Sequence, residues 1–286
     1  PVYPPDGGVA DGTQFAFQWT PAADPDGHAI TDYHFQLSDR PDLKWPLSPT
    51  FDRLISKTPD AGQARFTIPY VGLLNPGQRY YWRVRAKDQL GVWGPWSRAW
   101  SFTPDGPAPP VNVRMETDPA KGTATLRWDP NPIGRPPVRY RVYGSDEKGF
   151  TVSDSPYVVN LGNQQTALTN PFPSNFFKET TKTVMRVAGP TVLARNGNRA
   201  YYRVVAVDDK GRRSGPSDWA ACPRPLIYST PTLQAPAGTL WRYTVKTIRS
   251  LGHLRCRKVN GNPYTMTFWD IEQPLFSLVS GPSWLS

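Results

Sequence analysis

A chain of 286 residues with 33 Pro, 23 Gly, 11 Trp, 13 Tyr and 12 Phe is long enough for two or three domains with hydrophobic cores. Proline at about twice ordinary usage argues against helix-rich folds, because it breaks helix interiors, and the aromatic content argues against a disordered polar chain. The net charge of +10 suits an acidic partner, whether nucleic acid, anionic glycan, lipid headgroup or protein, without choosing among them.

The first strand signal, FAFQWTPAADPDG around Trp19, runs into a Pro-rich turn and then into the alternating Tyr33-Phe35-Leu37. A later strand, QRYYWRVRAKDQLG at 78–91, aligns without gaps to NRAYYRVVAVDDKG at 198–211, with seven identities in fourteen at a spacing of 120. The identities are Arg79/Arg199, Tyr81/Tyr201, Arg83/Arg203, Val84/Val204, Ala86/Ala206, Asp88/Asp208 and Gly91/Gly211. TATLRWDPNPIG around Trp128, followed by Tyr140-Val142, repeats the opening signal. Period-two alternation puts Tyr80, Trp82, Val84 and Ala86 on one face and Tyr81, Arg83, Arg85 and Lys87 on the other. Frequent turn signals between such strands predict an all-β chain of tandem sandwiches, each built from two antiparallel sheets.

Trp19 and Trp128, Leu74-x-Pro76-Gly77-x-x-Tyr80 leading into YWRVRA, and YRVVAVDDKGRRSGPS make both copies similar to the fibronectin type III (Ig-like) family. The resemblance implies a fibronectin type III domain over 1–105 and a second over 106–226, with an insertion at 150–190. It also implies a tyrosine corner at Tyr80, whose hydroxyl would bond nearby backbone. In the second copy Ala200 takes that position, so its corner must be built differently. TPDGPAPP (103–110) and PRPLIYSTPTLQAPAG (223–238) read as stiff linkers, because clustered prolines favour extended backbone. Residues 227–286 read as linker and a partial β module. LWRYTVKTIRS alternates like a strand, and FSLVSGPSWLS resembles the end of Ig-like, cadherin-like modules of bacterial surface proteins. This module stops short, either at a fragment boundary or because its strands complete a neighbour.

Charge is uneven: 1–105 carries −1, 106–226 carries +7 and 227–286 carries +4. The basic residues of the last part, Arg242, Lys246, Arg249, Arg255, Arg257 and Lys258, form either an anion-binding face or a charged strand edge that deters edge-to-edge pairing. GVWGPWSRAWSF brings Trp93, Trp96 and Trp100 near Arg83 and Arg85, a Trp–Arg ladder resembling that of cytokine-receptor fibronectin modules, with a spacing one residue longer. It either closes the sheet surface or exposes indoles to a sugar or protein. The insertion LTNPFPSNFFKETTK offers Phe172, Phe176 and Phe177 either as a partner contact or as extra core.

Asp24-Pro-Asp26-Gly-His28 reads as a turn rather than a calcium loop, since calcium takes six to eight oxygens. The histidines, His28, His34 and His253, lack zinc spacing, so no metal or other cofactor is expected. There is no Gly-x-Ser-x-Gly, phosphate-cradling glycine loop or His–Glu motif, and the four glutamates are scattered, so no catalytic residues are assigned. No apolar run is long enough to span a bilayer. Pro1 opens on a polar stretch without a signal-peptide pattern, which suggests removal of something upstream. The resemblance to surface modules implies an extracellular, cell-surface or periplasmic location. There a Cys222–Cys256 bridge would stabilise by about 3–4 kcal/mol; the alternative is two unpaired buried thiols.

The expected function is that of a non-catalytic scaffold, spacer and protein-interaction segment within a larger bacterial protein or assembly. The alternatives are binding of an anionic glycan through the basic second and third parts, and docking as an extrinsic subunit on a membrane complex. Nucleic acid is not expected as a partner.

Overall fold

The computed structural model describes residues 1–47, 51–58, 60–68, 72–156, 174–231, 234, 237–248, 250–259, 262–272 and 276–277, and for 250–272 the backbone only. The chain divides into two compact units. Unit 1 comprises Pro1–Pro110, Pro130–Arg139 and Val205–Pro216; unit 2 comprises Val111–Asp129, Tyr140–Val204 and Ser217–Ser286.

The strands of unit 1 are β1 (Gly8–Ala10), β2 (Ala16–Gln18), β3 (Ile30–Ser38), β4 (Asp52–Leu54), β5 (Arg65–Thr67), β6 (Tyr80–Asp88) and β7 (Trp100–Pro104). One sheet has the order β1-β7-β6-β3-β4, and β2 pairs with β5 in a second. β1 runs parallel to β7, whereas β6 runs antiparallel to both β3 and β7. The alternation of β6 sets the layering. Tyr80, Trp82 and Val84 face a core that contains Phe17, Trp19, Phe35, Phe66 and Phe102, and Arg83, Arg85 and Lys87 stay partly exposed on the other face. Trp19 meets Tyr33 edge-on at 5.3 Å, and Phe35 stacks on Phe66 at 4.6 Å, so the core is mainly interlocked aromatic rings.

In unit 2, β8 (Val111–Asp118), β9 (Thr123–Asp129) and β12 (Val184–Ala188) form a sheet ordered β12-β9-β8. The other sheet takes β10 (Arg139–Ser145), β11 (Phe176–Thr180), β13 (Tyr201–Val207) and β14 (Arg213–Pro216) in the order β11-β10-β13-β14, with β15 (Ala220–Ala221) also on β13. The end residue Arg139, the last three residues of β13 and all of β14 belong to unit 1. Trp128 meets Tyr140 edge-on at 5.4 Å, the counterpart of Trp19 with Tyr33. Two antiparallel pairs follow: β16 (Leu226–Ile227) with β17 (Thr247–Ile248), and β18 (Ser250–Val259) with β19 (Asn262–Glu272).

The repeat corresponds to shared hydrogen-bond chemistry. Asp88 accepts from the Val92 amide at 2.7 Å and Asp208 from the Arg212 amide at 2.9 Å, in turns closed by Gly91 and Gly211 at φ 86° and 78°, which glycine adopts without steric cost. Ser97 and Ser217, also 120 apart, cap the amides of Val84 and Val204 at 3.1 and 2.9 Å.

Both copies have a tyrosine corner, at different positions. The Tyr80 hydroxyl accepts from the Asn75 amide at 2.9 Å and donates to Gln78. In unit 2 the corner moves two residues along the strand. Tyr202, fully buried, accepts from the Arg199 amide and donates to the Val187 carbonyl, both at 2.9 Å, and burial pushes its phenol well above the ordinary value.

Of the two stretches read as linkers, 103–110 is built into unit 1. Pro104 ends β7, and Gly106, Pro107, Ala108 and Pro110 are buried. Leu226, within the second stretch, is buried in β16. In 103–110 burial overrides the extended-linker tendency of the prolines, whereas in 223–238 Leu226 is flanked by the exposed Pro225 and Ile227.

Tyr202→Phe strands a buried carbonyl and a part-buried amide, so urea unfolding should show a loss of about 1–3 kcal/mol. Tyr80→Phe, whose acceptor is a half-exposed Gln78 side chain, should cost less; an equal loss would contradict this account of the two corners.

Candidate functional site

The clearest assembly of site residues lies on the outer face of unit 1. Residues 93–97 hang on β6 through Gly94 N–H to Ala86 O at 2.9 Å and Ser97 N–H to Val84 O at 2.8 Å. Trp93 and Trp96 thereby interleave with the outward cations. The Arg83 guanidinium lies 4.4 Å from the Trp96 ring centre, Arg85 lies 4.5 Å from Trp96 and 4.8 Å from Trp93, and the Lys87 ammonium is 5.5 Å from Trp93. The sequence is therefore Lys87, Trp93, Arg85, Trp96, Arg83, with indoles separating like charges. Burial, then the neighbouring Arg85 charge, draws Arg83 below the ordinary guanidinium value.

A polar layer lies alongside. Arg85 contacts His34 Nδ1 at 3.2 Å, and His34 Nε2 contacts Asp52; with Arg85 as donor, the imidazole proton is assigned to Nε2. Asp52 also accepts from Gln36, whose carbonyl oxygen accepts from Arg83 at 2.9 Å. The His34 ring packs 4.9 Å from Trp96. Next to this face is a largely apolar cleft of about 560 Å³, bordered by Trp19, Tyr33, Trp93 and Trp96.

Trp100 is corrected out of the ladder. It pairs with Trp82 across β6 and β7, and directly opposed residues share a face, so it packs edge-on to Trp82 at 6.2 Å against the core. Lys87 is the member that sequence reasoning left out, although its outward parity on β6 was legible. A smaller stack in unit 2 was missed altogether: Lys148 lies 4.9 Å from Trp219, Trp219 meets Tyr201 edge-on at 5.4 Å, and Arg224 lies 5.1 Å from Tyr201. Its members are too far apart in sequence for any spacing signal.

Of the two roles expected for the insertion phenylalanines, Phe176 and Phe177 take packing rather than partner contact. Phe177 is buried on β11 facing Tyr202, and Phe176 lies beside Tyr143 with Arg141 4.2 Å from its ring, so neither offers a free aromatic contact. Pairing of β11 with β10 turns this part of the insertion into an extension of the sheet. Phe172 lies outside the described residues.

Of the basic cluster, Arg242 and Lys246 are exposed. Arg249 lies outside the described residues, and Arg255, Arg257 and Lys258 sit on β18 where only the backbone is described. Cys222 is a free buried thiol, and burial followed by the nearby Asp146 carboxylate pushes it up to about 12. The Cys256 side chain lies outside the described residues. Asp24, Asp26 and His28 place one donor atom each within 4.8 Å of one another. Asp24 Oδ1 already accepts the Asp26 and His28 amides at 2.8 and 3.3 Å, so the turn itself accounts for the cluster.

Residues 7–104 match the family described as the Rha78A-like, N-terminal immunoglobulin domain. Among solved structures, the chain is similar to the crystal structure of domains A168–A170 from titin, at 15% identity. That match covers 74% of this chain and 59% of that one, with a TM-score of 0.25, too low to establish a shared arrangement. Sheet order and core define an all-β protein, and the family match makes residues 7–104 similar to an immunoglobulin domain. Among the described residues no helix is long and apolar enough to cross a membrane.

Arg85→Gln removes the guanidinium shared by both indoles and should lower the unfolding free energy by about 1–2 kcal/mol. Arg83→Gln, which relieves one contact, should cost about half as much; if neither shifts the urea midpoint, the rings pack without help from the cations. In native protein at pH 8, iodoacetamide should leave the Cys222 peptide unlabelled until denaturant is added, because its thiolate is scarce and buried.

Proposed function

We propose that this chain is a non-catalytic scaffold and stiff spacer, built from fibronectin type III-like repeats, that belongs to a larger extracytoplasmic protein. Its outer aromatic and cationic face on unit 1 serves as the protein-interaction surface. The observation that carries the spacer reading is the charge clamp on residues 103–110. Arg135 Nε donates to Asp105 at 2.7 Å and Arg212 Nη1 donates to the same oxygen at 2.9 Å. Arg212 also bonds Asp11 and, through Nε at 2.8 Å, the buried Asp208. All five residues belong to unit 1. A stretch whose composition reads as a linker is thus buried and ion-paired, as a spacer that transmits position needs. The matched family's description as an N-terminal domain suits an accessory part of a longer polypeptide.

Limited proteolysis of the whole chain with a nonspecific protease tests this. Wild type should resist cutting at 103–110, and Arg212→Ala combined with Arg135→Ala should expose that stretch. Ready cleavage in wild type would defeat the spacer reading.

Burial alone would raise the Asp105 carboxyl, but hydrogen bonds from Arg135 and Arg212 outweigh it and hold it below the usual carboxylate range. A depressed folded value contributes stability that is complete above the unfolded carboxyl's titration near pH 4 and is lost as pH falls through the folded value. Asp105→Asn should therefore be less stable than wild type at pH 7, with the gap closing below about pH 4. Arg212→Ala, which strips the guanidinium from buried Asp208, should cost on the order of 3 kcal/mol in urea unfolding at pH 7.

A further inference from the structure

Unit 2 contains a polar cleft of about 690 Å³, within the range of small-ligand sites. One wall is the loop 189–198, held by two asparagines in left-handed backbone. Asn198, at φ 54°, accepts from the Gly189 amide at 2.8 Å and donates to the Val192 carbonyl at 2.9 Å. Asn196, at φ 65° and buried, donates to the carbonyls of Ser174 and Phe176 at 2.9 and 2.8 Å. The opposite wall joins Tyr228–Thr230 to Tyr243–Thr247: Tyr228 N–H donates to Lys246 O at 3.0 Å, Lys246 N–H to Ser229 Oγ at 2.8 Å, and the Ser229 and Tyr243 hydroxyls meet at 2.6 Å. Hydrogen bonds within the protein thus order both walls, which lowers the ordering cost of binding a ligand.

The charges within the cleft are unbalanced. Arg199 pairs with Asp146 at 2.6 Å, and Asp146 also takes the Ala200 amide at 3.1 Å, so this acid is already matched. Arg195 on the first wall and Lys246 on the second are exposed, and among the described residues neither has a carboxylate partner. The lining is also rich in hydroxyls, with Ser229, Thr230, Thr244 and Thr247 on the wall that carries Lys246. Two cations without carboxylate partners among the described residues, in a lining rich in hydroxyl groups, match a ligand that carries acidic groups on a hydroxyl-dense frame.

We propose that this cleft binds an acidic oligosaccharide of two or three sugar units, with a sulfate or carboxylate held by Arg195 and Lys246 and the sugar hydroxyls held by the Ser and Thr side chains. The site is independent of the spacer reading and differs from the basic strand edge, since Lys246 is the only residue they share.

The test is calorimetric titration of the whole chain with a sulfated heparin-type trisaccharide and with a trigalacturonate, against neutral maltotriose, inorganic sulfate and a short oligothymidylate. At least one acidic saccharide should bind and weaken with added salt, and maltotriose should not bind. Arg195→Gln and Lys246→Gln should each weaken binding by about tenfold or more, and Arg195→Lys, which keeps the charge, by about threefold at most. These side chains are exposed and have no carboxylate partner among the described residues, so unchanged unfolding midpoints should accompany the losses. Lys178→Gln, an exposed cation of unit 2 away from the cleft, should leave affinity within about twofold. An equal loss in Lys178→Gln, binding of sulfate as tight as that of the saccharides, or binding of the oligothymidylate with none of the saccharides would each overturn the proposal.

Discussion

A carboxylate with no exposed surface must be matched by donors, and Asp208 sets that requirement for much of the chain. Its oxygens take the amides of Lys210 and Arg212 and the Arg212 guanidinium, closing the β13–β14 turn. Held in this way, the rest of the Arg212 guanidinium reaches Asp11 and Asp105. The first copy shows what a single side chain changes. Asp88 makes the same turn, but the residue four positions on is Val92, whose backbone bonds Asp88 and whose side chain has no donor to offer. One copy ends in a local turn; the other organises a charge network that holds a proline-rich stretch.

Cations take two roles in this protein, and their neighbours decide which. Arg83, Arg85 and Lys87 are spaced by indole faces, which allows three like charges to share one strand face and leaves amphipathic rings beside an apolar cleft. Arg135 and Arg212 are neutralised by carboxylates and act as ties. The excess of 106–226 is thus partly consumed internally. Arg195 and Lys246, which have no such partner among the described residues, remain as the electrostatic feature of the unit 2 cleft.

Much of the fold was legible because strand parity is local. The spacing of Tyr80, Trp82 and Val84 predicted the core face of β6 and the outward position of Arg83 and Arg85. Trp100 was misassigned because nearness in sequence to Trp96 said nothing of the β6–β7 register, which sets it opposite Trp82. The roles of Phe176 and Phe177 depended on whether that part of the insertion paired with β10, a long-range contact with no local signature. The Ala200 departure correctly showed that the second corner is built differently; locating it at Tyr202 required the position of the Val187 carbonyl.

The sequence by itself determined the all-β class, the repeat at 120, the parity of the central strands and the Asp–Gly turns. These follow from short-range geometry: period-two alternation, the fixed φ of proline and the freedom of glycine at positive φ. Only the tertiary structure decided which charges are neutralised, which aromatic rings are core, and that 103–110 is held by burial and ion pairs. Those outcomes depend on partners such as Asp105 and Arg212, 107 positions apart, whose meeting is set by packing and not by local sequence.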